Sequence, residues 1–287
     1  MSKIVSNNCL VLGGGGVTGI AWMTGLIYGL QLRGLELSAI DRVIGTSAGA
    51  AVAAQITSST SLHDLYQRQV DPVQQVDELI PSINIFALVL KLLPILLTEK
   101  NPEKFRQRIG KLAMNTKTTA ASERQKVIAA RLPNQQWPAT ALTIMAVDAN
   151  SGTLISFDKD HNIALIDAVA ASCAVPGVWP PVAINNQWFI DGGTRSANNA
   201  DLACGAKNVL VIAPMGDKKQ PGPSSNLEQE VELLRKSGSA VTVIKPDSNA
   251  VKMMGRNPLN PRKRAQAALA GKQQGEREAS RVLMMRS

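Results

Sequence analysis

A serine between two glycines constrains the fold of this chain more than any other segment. Residues 45–49 read Gly-Thr-Ser-Ala-Gly, with Arg-Val-Ile at residues 42–44 before them and a run of small residues after them. This order predicts a strand, a sharp turn and a helix, in which Gly45 and Gly49 leave room for the two elements to approach closely. Ser47 would lie at the helix N-terminus, where the helix dipole favours an alkoxide. Alone, the pattern is also compatible with an ordinary glycine-rich turn.

This strand–turn–helix arrangement around Ser47 is called the elbow below. A glycine loop is the first of two segments that support it. Residues 9–12 predict a strand, and residues 13–19, Gly-Gly-Gly-Gly-Val-Thr-Gly, lead from it into a helix. Backbone N–H groups in such a loop converge on an anion. The anion would be a phosphate, or an oxyanion if the loop lies beside Ser47.

The same loop also satisfies the dinucleotide-binding pattern G-x-G-x-x-G through Gly14, Gly16 and Gly19. That pattern expects an acidic residue at the end of the second strand. Glu36 is near the required distance but follows a turn, and the second strand instead leads into Ser47. The sequence therefore favours an oxyanion site over a dinucleotide site.

The second supporting segment is Phe-Ile-Asp-Gly-Gly at residues 189–193. An apolar strand brings Asp191 into a turn formed by Gly192 and Gly193. By itself, an Asp-Gly pair is typical of an ordinary turn. Beside an elbow and a glycine loop, Asp191 becomes a candidate base.

The two histidines, His63 and His161, both lie in polar segments that predict surface positions. Serine nucleophiles usually take a histidine as their base. With neither histidine well placed, direct activation of Ser47 by the carboxylate of Asp191 is the simpler hypothesis.

The alternation of strands and helices along the 287 residues predicts a mostly parallel sheet covered on both faces. Strands are expected at residues 9–12, 42–44, 141–147, 153–157, 182–190, 209–213 and 240–244. Helices are expected at residues 20–33, 48–56, 163–172 and 227–237, and between 61 and 131 with breaks at Pro72, Pro81, Pro94 and Pro102.

The remaining features predict a cytoplasmic protein. The polar residues 1–8 and the short apolar run after them indicate no signal peptide. The most apolar stretch, residues 83–97, is too short and interrupted to span a membrane. Cys9, Cys173 and Cys204 have no paired spacing and are interpreted as buried free thiols in a reducing compartment.

The net charge of +9 is concentrated near the C-terminus, where residues 245–287 hold ten Lys and Arg against three acids. Such a region can contact an anionic membrane surface peripherally, and a solvated helical tail is the alternative. The same residues include no aromatic side chain on which bases could stack, so no nucleic-acid partner is expected.

Taken in order, the glycine loop, the G-x-S-x-G elbow and the D-G-G turn resemble the patatin-like phospholipase family. Residues 171–182, Ala-Ser-Cys-Ala-Val-Pro-Gly-Val-Trp-Pro-Pro-Val, resemble its segment leading to the aspartate strand, and residues 257–259, Asn-Pro-Leu, are consistent with bacterial members. The resemblance implies a three-layer α/β/α fold with a mostly parallel central sheet. It places a catalytic core at residues 8–205, with residues 206–287 completing the same domain and ending in a basic tail.

The resemblance also implies roles for individual residues. Ser47 would be the nucleophile and Asp191 the proton acceptor, with no metal in the catalytic step and no cofactor. Gly15, Gly16 and the Val17 backbone N–H would form the oxyanion hole, within a loop motif that comprises Gly14, Gly15, Gly16, Val17 and Gly19. An alcohol or lysolipid would leave first, and water activated by the aspartate would then cleave the acyl-enzyme.

Two further features bear on the substrate. The family often has a basic residue where this chain has Thr18, a departure that concerns phospholipid preference more than ester chemistry. Residues 83–97 would form a lid or a wall of the acyl site, or a packing helix.

The sequence thus predicts a serine acyl hydrolase acting on a lipid or acyl ester: a phospholipid, a lysophospholipid or another carboxylic ester. Two alternatives stay open. One is a nucleotide- or phosphate-binding enzyme that uses Gly14, Gly16 and Gly19. The other is an inactive lipid-binding or scaffolding protein that keeps the fold.

Overall fold

The computed structural model describes residues 7–81 and 85–283. Its centre is a sheet of eight strands in the order β5-β6-β3-β2-β1-β7-β8, with β4 paired to β3. The strands are β1 (Asn8–Leu12), β2 (Arg42–Thr46), β3 (Ala141–Asp148), β4 (Leu154–Phe157), β5 (Val182–Ile184), β6 (Gln187–Asp191), β7 (Asn208–Ile212) and β8 (Ala240–Ile244).

Five of these strands run parallel, in the order β3-β2-β1-β7-β8, while β4, β5 and β6 are antiparallel to their neighbours. The strands β7 and β8, beyond residue 206, continue the sheet directly from β1. The prediction of a mostly parallel sheet is confirmed.

Ten α-helices of the described residues surround the sheet, some packed on its two faces and others on those helices. They are α1 (Gly16–Gln31), α2 (Ala48–Ile56), α3 (Leu62–Val70), α4 (Ile85–Thr98), α5 (Pro102–Met114), α6 (Ala121–Arg131), α7 (Leu165–Ser172), α8 (Leu227–Lys236), α9 (Ser248–Met254) and α10 (Arg264–Leu283).

The side chains of β1 show how the sheet separates two cores, because successive residues of a strand point to opposite faces. Leu10 and Leu12 pack in the large cluster formed with α1, α2, α7 and α10. Cys9 and Val11 pack in a second cluster with α8. The result is three layers, helix, sheet and helix, as predicted.

The basic C-terminal region is a packed element rather than a free tail over the residues that the structure describes. On α1, a β-carbon at Gly25 or Gly29 would collide with the backbone of α10, and one at Gly271 or Gly275 would collide with α1. Glycine at these four positions lets the helix backbones approach closely. Buried Gln274 of α10 also accepts a hydrogen bond of 3.1 Å from the Trp22 indole.

Several local predictions are wrong. The first helix begins at Gly16 rather than residue 20, because the glycine loop itself forms its first turn. Residues 182–190 are a hairpin rather than one strand, since Asn185 and Asn186 take positive φ values of 48° and 63° that asparagine tolerates at a turn. Cys204 is exposed, because it lies next to the open turn at Gly205, where a β-carbon would meet nothing within 4 Å, whereas Cys9 and Cys173 are buried as expected.

Pro94 does not break the helix in which it lies, contrary to prediction. A proline in a helix interior leaves the carbonyl four residues earlier without its usual donor. That carbonyl belongs to Leu90, whose side chain is 54% exposed, so it lies on the side of α4 that water reaches. No helix within the two described ranges is long and apolar enough to cross a bilayer.

Candidate active site

Ser47 occupies a strained turn between β2 and α2. Its φ of 54° and ψ of −118° lie outside the regions that residues with a β-carbon prefer. A β-carbon at Gly45 would fall 2.7 Å from Ala50 Cα, and one at Gly49 would collide with the Leu12 carbonyl. The two elbow glycines are therefore required by space, as predicted, while the positive φ falls on the serine. Such strain is typical of functional sites.

Asp191 reaches Ser47 because β3 pairs first with β2 and then, directly after the last residue of that pairing, with β6. Thr46, the last residue of β2, lies opposite Met145, and Asp191, the last residue of β6, lies opposite the next residue, Ala146. The Ser47 hydroxyl consequently donates a hydrogen bond of 2.6 Å to Asp191 Oδ2. The structure brings the two predicted residues into direct contact.

The carboxyl of Asp191 is held in place and poorly solvated. Its Oδ1 accepts a hydrogen bond of 2.7 Å from the Gly193 amide, and the side chain is only 3% exposed. Burial raises the pKa of Asp191 to about 7, although the bonds from Ser47 and Gly193 and the charge of Arg124 oppose the shift. A carboxylate with a pKa near neutrality is suited to accept a proton at physiological pH.

The glycine loop leaves three adjacent amides free. Among the described residues, the N–H groups of Gly15, Gly16 and Val17 donate no hydrogen bond. The Gly14 amide instead donates to the Ala197 carbonyl at 2.7 Å, and the Gly19 amide donates to the Gly15 carbonyl at 2.9 Å. Of the five predicted loop residues, three thus keep a donor available for an anion.

The C-terminal part of the chain closes over this loop. Gly16 has a φ of 62°, and a β-carbon there would lie 2.6 Å from the Pro258 carbonyl oxygen, which accepts a 3.1 Å hydrogen bond from the Thr18 amide. The Thr18 side chain is buried. Leu259 lines the cavity beside Ser47. Residues far from the three motifs therefore shape the site.

Sequence reasoning gave no role to Ser172, the last residue of α7, which supports the elbow. Its hydroxyl accepts a hydrogen bond of 2.9 Å from the Ser47 amide and donates one of 2.6 Å to the Met145 carbonyl. Ser172 is fully buried. The available signal in the sequence was a single polar residue after a run of small apolar ones. It did not reveal the role of Ser172, because the partners of its hydroxyl come from the elbow after β2 and from β3, which are distant in the sequence.

We expect Ser172→Ala to lower kcat for ester hydrolysis about tenfold or more, with a smaller change in KM. The substitution leaves the Ser47 amide and the Met145 carbonyl buried without this partner, at a cost of about 1–3 kcal/mol in stability. Steady-state kinetics and chemical denaturation check both effects. Ser156→Ala, which removes an exposed hydroxyl from β4, serves as the control. An unchanged kcat would show that Ser172 does not position the elbow.

The histidines do not take part in this arrangement. His63 Nδ1 lies 3.0 Å from the Tyr28 hydroxyl, and His161 Nδ1 lies 2.7 Å from Asp158 Oδ1. Both rings are exposed, as predicted.

A small cavity of about 30 Å³ opens beside Ser47, large enough for about one water molecule. Val175 and Trp179 form part of its wall. Between them, Gly177 lies against Leu88 of α4. A cavity of this volume is too small to hold an acyl chain. Of the predicted lid or wall at residues 83–97, residues 83 and 84 lie outside the described residues, and the rest belongs to α4.

The fold and the site together define a three-layer α/β protein that carries a hydrogen-bonded serine–aspartate pair at a nucleophile elbow, beside a glycine loop. The chain belongs to the patatin-like phospholipase family, whose model matches residues 10–204. This confirms the resemblance, and membership of the family supports a lipid hydrolase function.

Solved structures give two further comparisons. The chain is similar to VipD from Legionella pneumophila, with 13% identity and a TM-score of 0.47 over 96% of this chain and 67% of VipD. It is also similar to the type III effector protein ExoU, with 18% identity and a TM-score of 0.43 over 98% of this chain. The match covers 54% of ExoU, so the chain spans about half the length of that structure. No curated protein matches the sequence.

Proposed function

We propose that this chain is a serine acyl hydrolase acting on carboxylic esters of lipids, with Ser47 as nucleophile and Asp191 as base. The observation that carries the proposal is the 2.6 Å hydrogen bond from the Ser47 hydroxyl to the buried carboxylate. A serine needs a nearby base to become nucleophilic, and this carboxylate is within reach of its proton. Hydrolysis of short esters by the wild-type protein and by Ser47→Ala tests the proposal.

The proposed reaction has two halves. Asp191 accepts the proton as Ser47 Oγ bonds to the ester carbonyl carbon, giving a tetrahedral oxyanion. The C–O bond to the alcohol then breaks, and the alcohol leaves with the proton from Asp191. In the second half, Asp191 accepts a proton from a water molecule as the water oxygen attacks the carbonyl carbon of the acyl-enzyme. The ester bond to Ser47 breaks, the proton returns to the serine, and the fatty acid is released.

The glycine loop is proposed to stabilise the oxyanion. The free amides of Gly15, Gly16 and Val17 stand at the N-terminus of α1, whose dipole adds partial positive charge. Donors held in place before the reaction act on charge that develops only in the transition state. No rearrangement of the loop's own hydrogen bonds is needed to free them.

Two exposed surfaces suit a lipid substrate. The first is the exposed face of α4, where apolar side chains recur at helical spacing: Phe86, Val89, Leu90, Leu93 and Leu97. The second is basic and flanks the Pro258 segment, through Lys252, Arg256, Arg262 and Lys263, which form no ion pair among the described residues. Apolar and basic side chains together are the usual composition of a peripheral contact with an anionic membrane.

We expect Leu90→Glu to lower the ratio of activity on anionic phospholipid vesicles to activity on soluble p-nitrophenyl butyrate by about tenfold or more. Burying one leucine in the interface contributes roughly 1.5–3 kcal/mol, and glutamate would also repel anionic headgroups. Leu233→Glu is the matched control, since Leu233 of α8 is 50% exposed against 54% for Leu90. An equal fall in both variants, or no fall in either, would argue against α4 as the lipid-contacting face.

A further inference from the structure

An arginine outside the three motifs lies in the cavity beside Ser47. Arg124, on α6, is only 7% exposed, and its guanidinium carbon is 4.0 Å from the centroid of the Trp179 ring. Arg124, Trp179 and Ser47 line the same cavity. A guanidinium stacked on an aromatic ring is held in one plane, so its donors point in defined directions.

Two donor nitrogens of this side chain are unused. Nε and Nη1 of Arg124 are buried and have no acceptor among the described residues. A buried charged donor without a partner carries a cost of at least about 1–3 kcal/mol. Burial lowers the pKa of Arg124 to about 10, and Arg131 contributes to the shift. The group therefore stays protonated at neutral pH, as a cation whose donors are open.

The neighbouring charges leave a positive surplus around Arg124. Glu78 accepts hydrogen bonds from both Arg131 and Arg264, so its carboxylate is already shared by two buried arginines. The other nearby acid, Asp191, is bonded to Ser47 and Gly193. Arg124 thus feels the charges of two acids but donates a hydrogen bond from Nε or Nη1 to neither, and a buried cation with open donors is stabilised by an anionic ligand.

We propose that Arg124 makes the site selective for esters that carry a negatively charged group, a phosphate or a carboxylate, close to the scissile bond. Its open Nε and Nη1 would donate to the oxygens of that group, a pairing for which the planar guanidinium is well suited. The inference rests on the proposed function, because Ser47 supplies the ester chemistry. Arg124 acts on substrate choice.

Three soluble substrates with the same hexanoyl ester test this role: 1-hexanoylglycerol 3-phosphate, 3-hexanoylglycerate and neutral 1-hexanoylglycerol. The quantity measured is the ratio of kcat/KM for each anionic ester to kcat/KM for the neutral one. We expect the wild-type ratio to be at least about 10, and Arg124→Gln to lower it about 10- to 100-fold, mainly through KM. Arg124→Lys, which keeps a point charge without the planar fork, should retain part of it.

Lys126→Gln is the matched control, because it removes one positive charge from an exposed position of the same helix. If Arg124→Gln does not fold, competitive inhibition by hexyl phosphate relative to hexanol is compared between the wild type and Arg124→Lys. Stronger inhibition of the wild type, by about tenfold, supports the role.

If Arg124→Gln lowers the ratio for the phosphate ester alone, Arg124 forms a phosphate site. If the substitution lowers the ratio for both anionic esters, Arg124 forms a general anion site. A ratio that is equal in the wild type and Arg124→Gln, or equal inhibition of the wild type and Arg124→Lys, would overturn the proposal. Failure of the proposed function looks different, because the wild type would then hydrolyse none of the three esters, or Ser47→Ala would hydrolyse them equally well.

Discussion

Ser47→Ala is expected to lower kcat/KM for ester hydrolysis by about 10³-fold or more. The substitution removes the atom that would form the acyl-enzyme, and what remains is binding and the oxyanion donors, which by themselves give only a small part of a serine hydrolase's acceleration. Hydrolysis of p-nitrophenyl butyrate measures the loss. A fluorophosphonate probe should label the wild type and leave the variant unlabelled, because the probe reacts with an activated serine.

The fold should survive this substitution. The alanine variant would keep the backbone amide that donates to Ser172, and the crowding that requires Gly45 and Gly49 does not involve the Ser47 hydroxyl. Ser58→Ala, at the opposite end of the same helix, controls for the loss of a hydroxyl from that region. Full turnover by Ser47→Ala, or the absence of fluorophosphonate labelling in the wild type, would contradict the assignment of Ser47 as the nucleophile. Vesicle binding without turnover of any ester would favour the inactive lipid-binding alternative.

The sequence could predict the elements that meet at the elbow because their geometry is local. A strand, a glycine-limited turn and a helix are encoded within residues 42–56, and the crowding at Gly45 follows from that connection, whereas the crowding at Gly49 comes from the Leu12 carbonyl of β1. The pairing with Asp191 could be inferred only from the order of three motifs. Its physical cause is the register of β3, which places Met145 and Ala146 opposite the ends of two different strands.

Residues whose function depends on distant partners could not be predicted in this way. Arg124 falls on the same face of α6 as Ile128 and Arg131, and that face is buried. The spacing alone shows two arginines on an apolar stripe. Only the tertiary structure shows that one of them is paired with Glu78 while the other faces the cavity without an acceptor. The same holds for Pro258, which contacts the glycine loop from a segment more than two hundred residues away.

The dinucleotide alternative loses its main support for a local reason. In such a site the loop amides bind a pyrophosphate and the second strand ends in an acid. Here the Gly14 amide is already bonded to the Ala197 carbonyl, and β2 ends at Thr46, directly before Ser47. The free amides at Gly15, Gly16 and Val17 stand next to a serine, which is what an oxyanion site requires.

Asp191→Asn is expected to lower kcat/KM by several powers of ten while the site keeps its shape. The amide has nearly the same size as the carboxyl, and its oxygen can still accept the Gly193 amide hydrogen bond. It cannot accept the proton of Ser47 in the pH range of the assay, so the serine would lose its base. Asp160→Asn, in an exposed loop, is the control. A normal rate in Asp191→Asn would remove the proposed pair.

The pH dependence of the wild type offers an independent check on the same residue. A base must be unprotonated to act, and burial places the pKa of Asp191 at about 7. We therefore expect kcat/KM to fall about tenfold per pH unit below pH 7 and to level off above it. A limb centred near pH 4, where an unburied aspartate titrates, would mean that Asp191 is solvated or is not the base.

Activity should rise with pH, whereas the contribution of Asp191 to stability should fall. The variant Asp191→Asn separates the effect on activity from the effect on stability. Because the pKa of Asp191 in the folded protein, about 7, lies above its ordinary value of 3.8, the folded state binds more protons than the unfolded state between these values. The stability due to the neutral carboxyl is thus present at pH 4 and lost as the pH rises through 7. The asparagine side chain carries no charge to desolvate, so the variant should exceed the wild type in free energy of unfolding by a few kcal/mol at pH 8, and match it near pH 4. Urea denaturation at both pH values measures this difference.

A variant that is inactive and yet more stable at pH 8 would show that the buried charge is kept for its chemistry. A variant that is inactive and less stable at both pH values would show that Asp191 has a structural role.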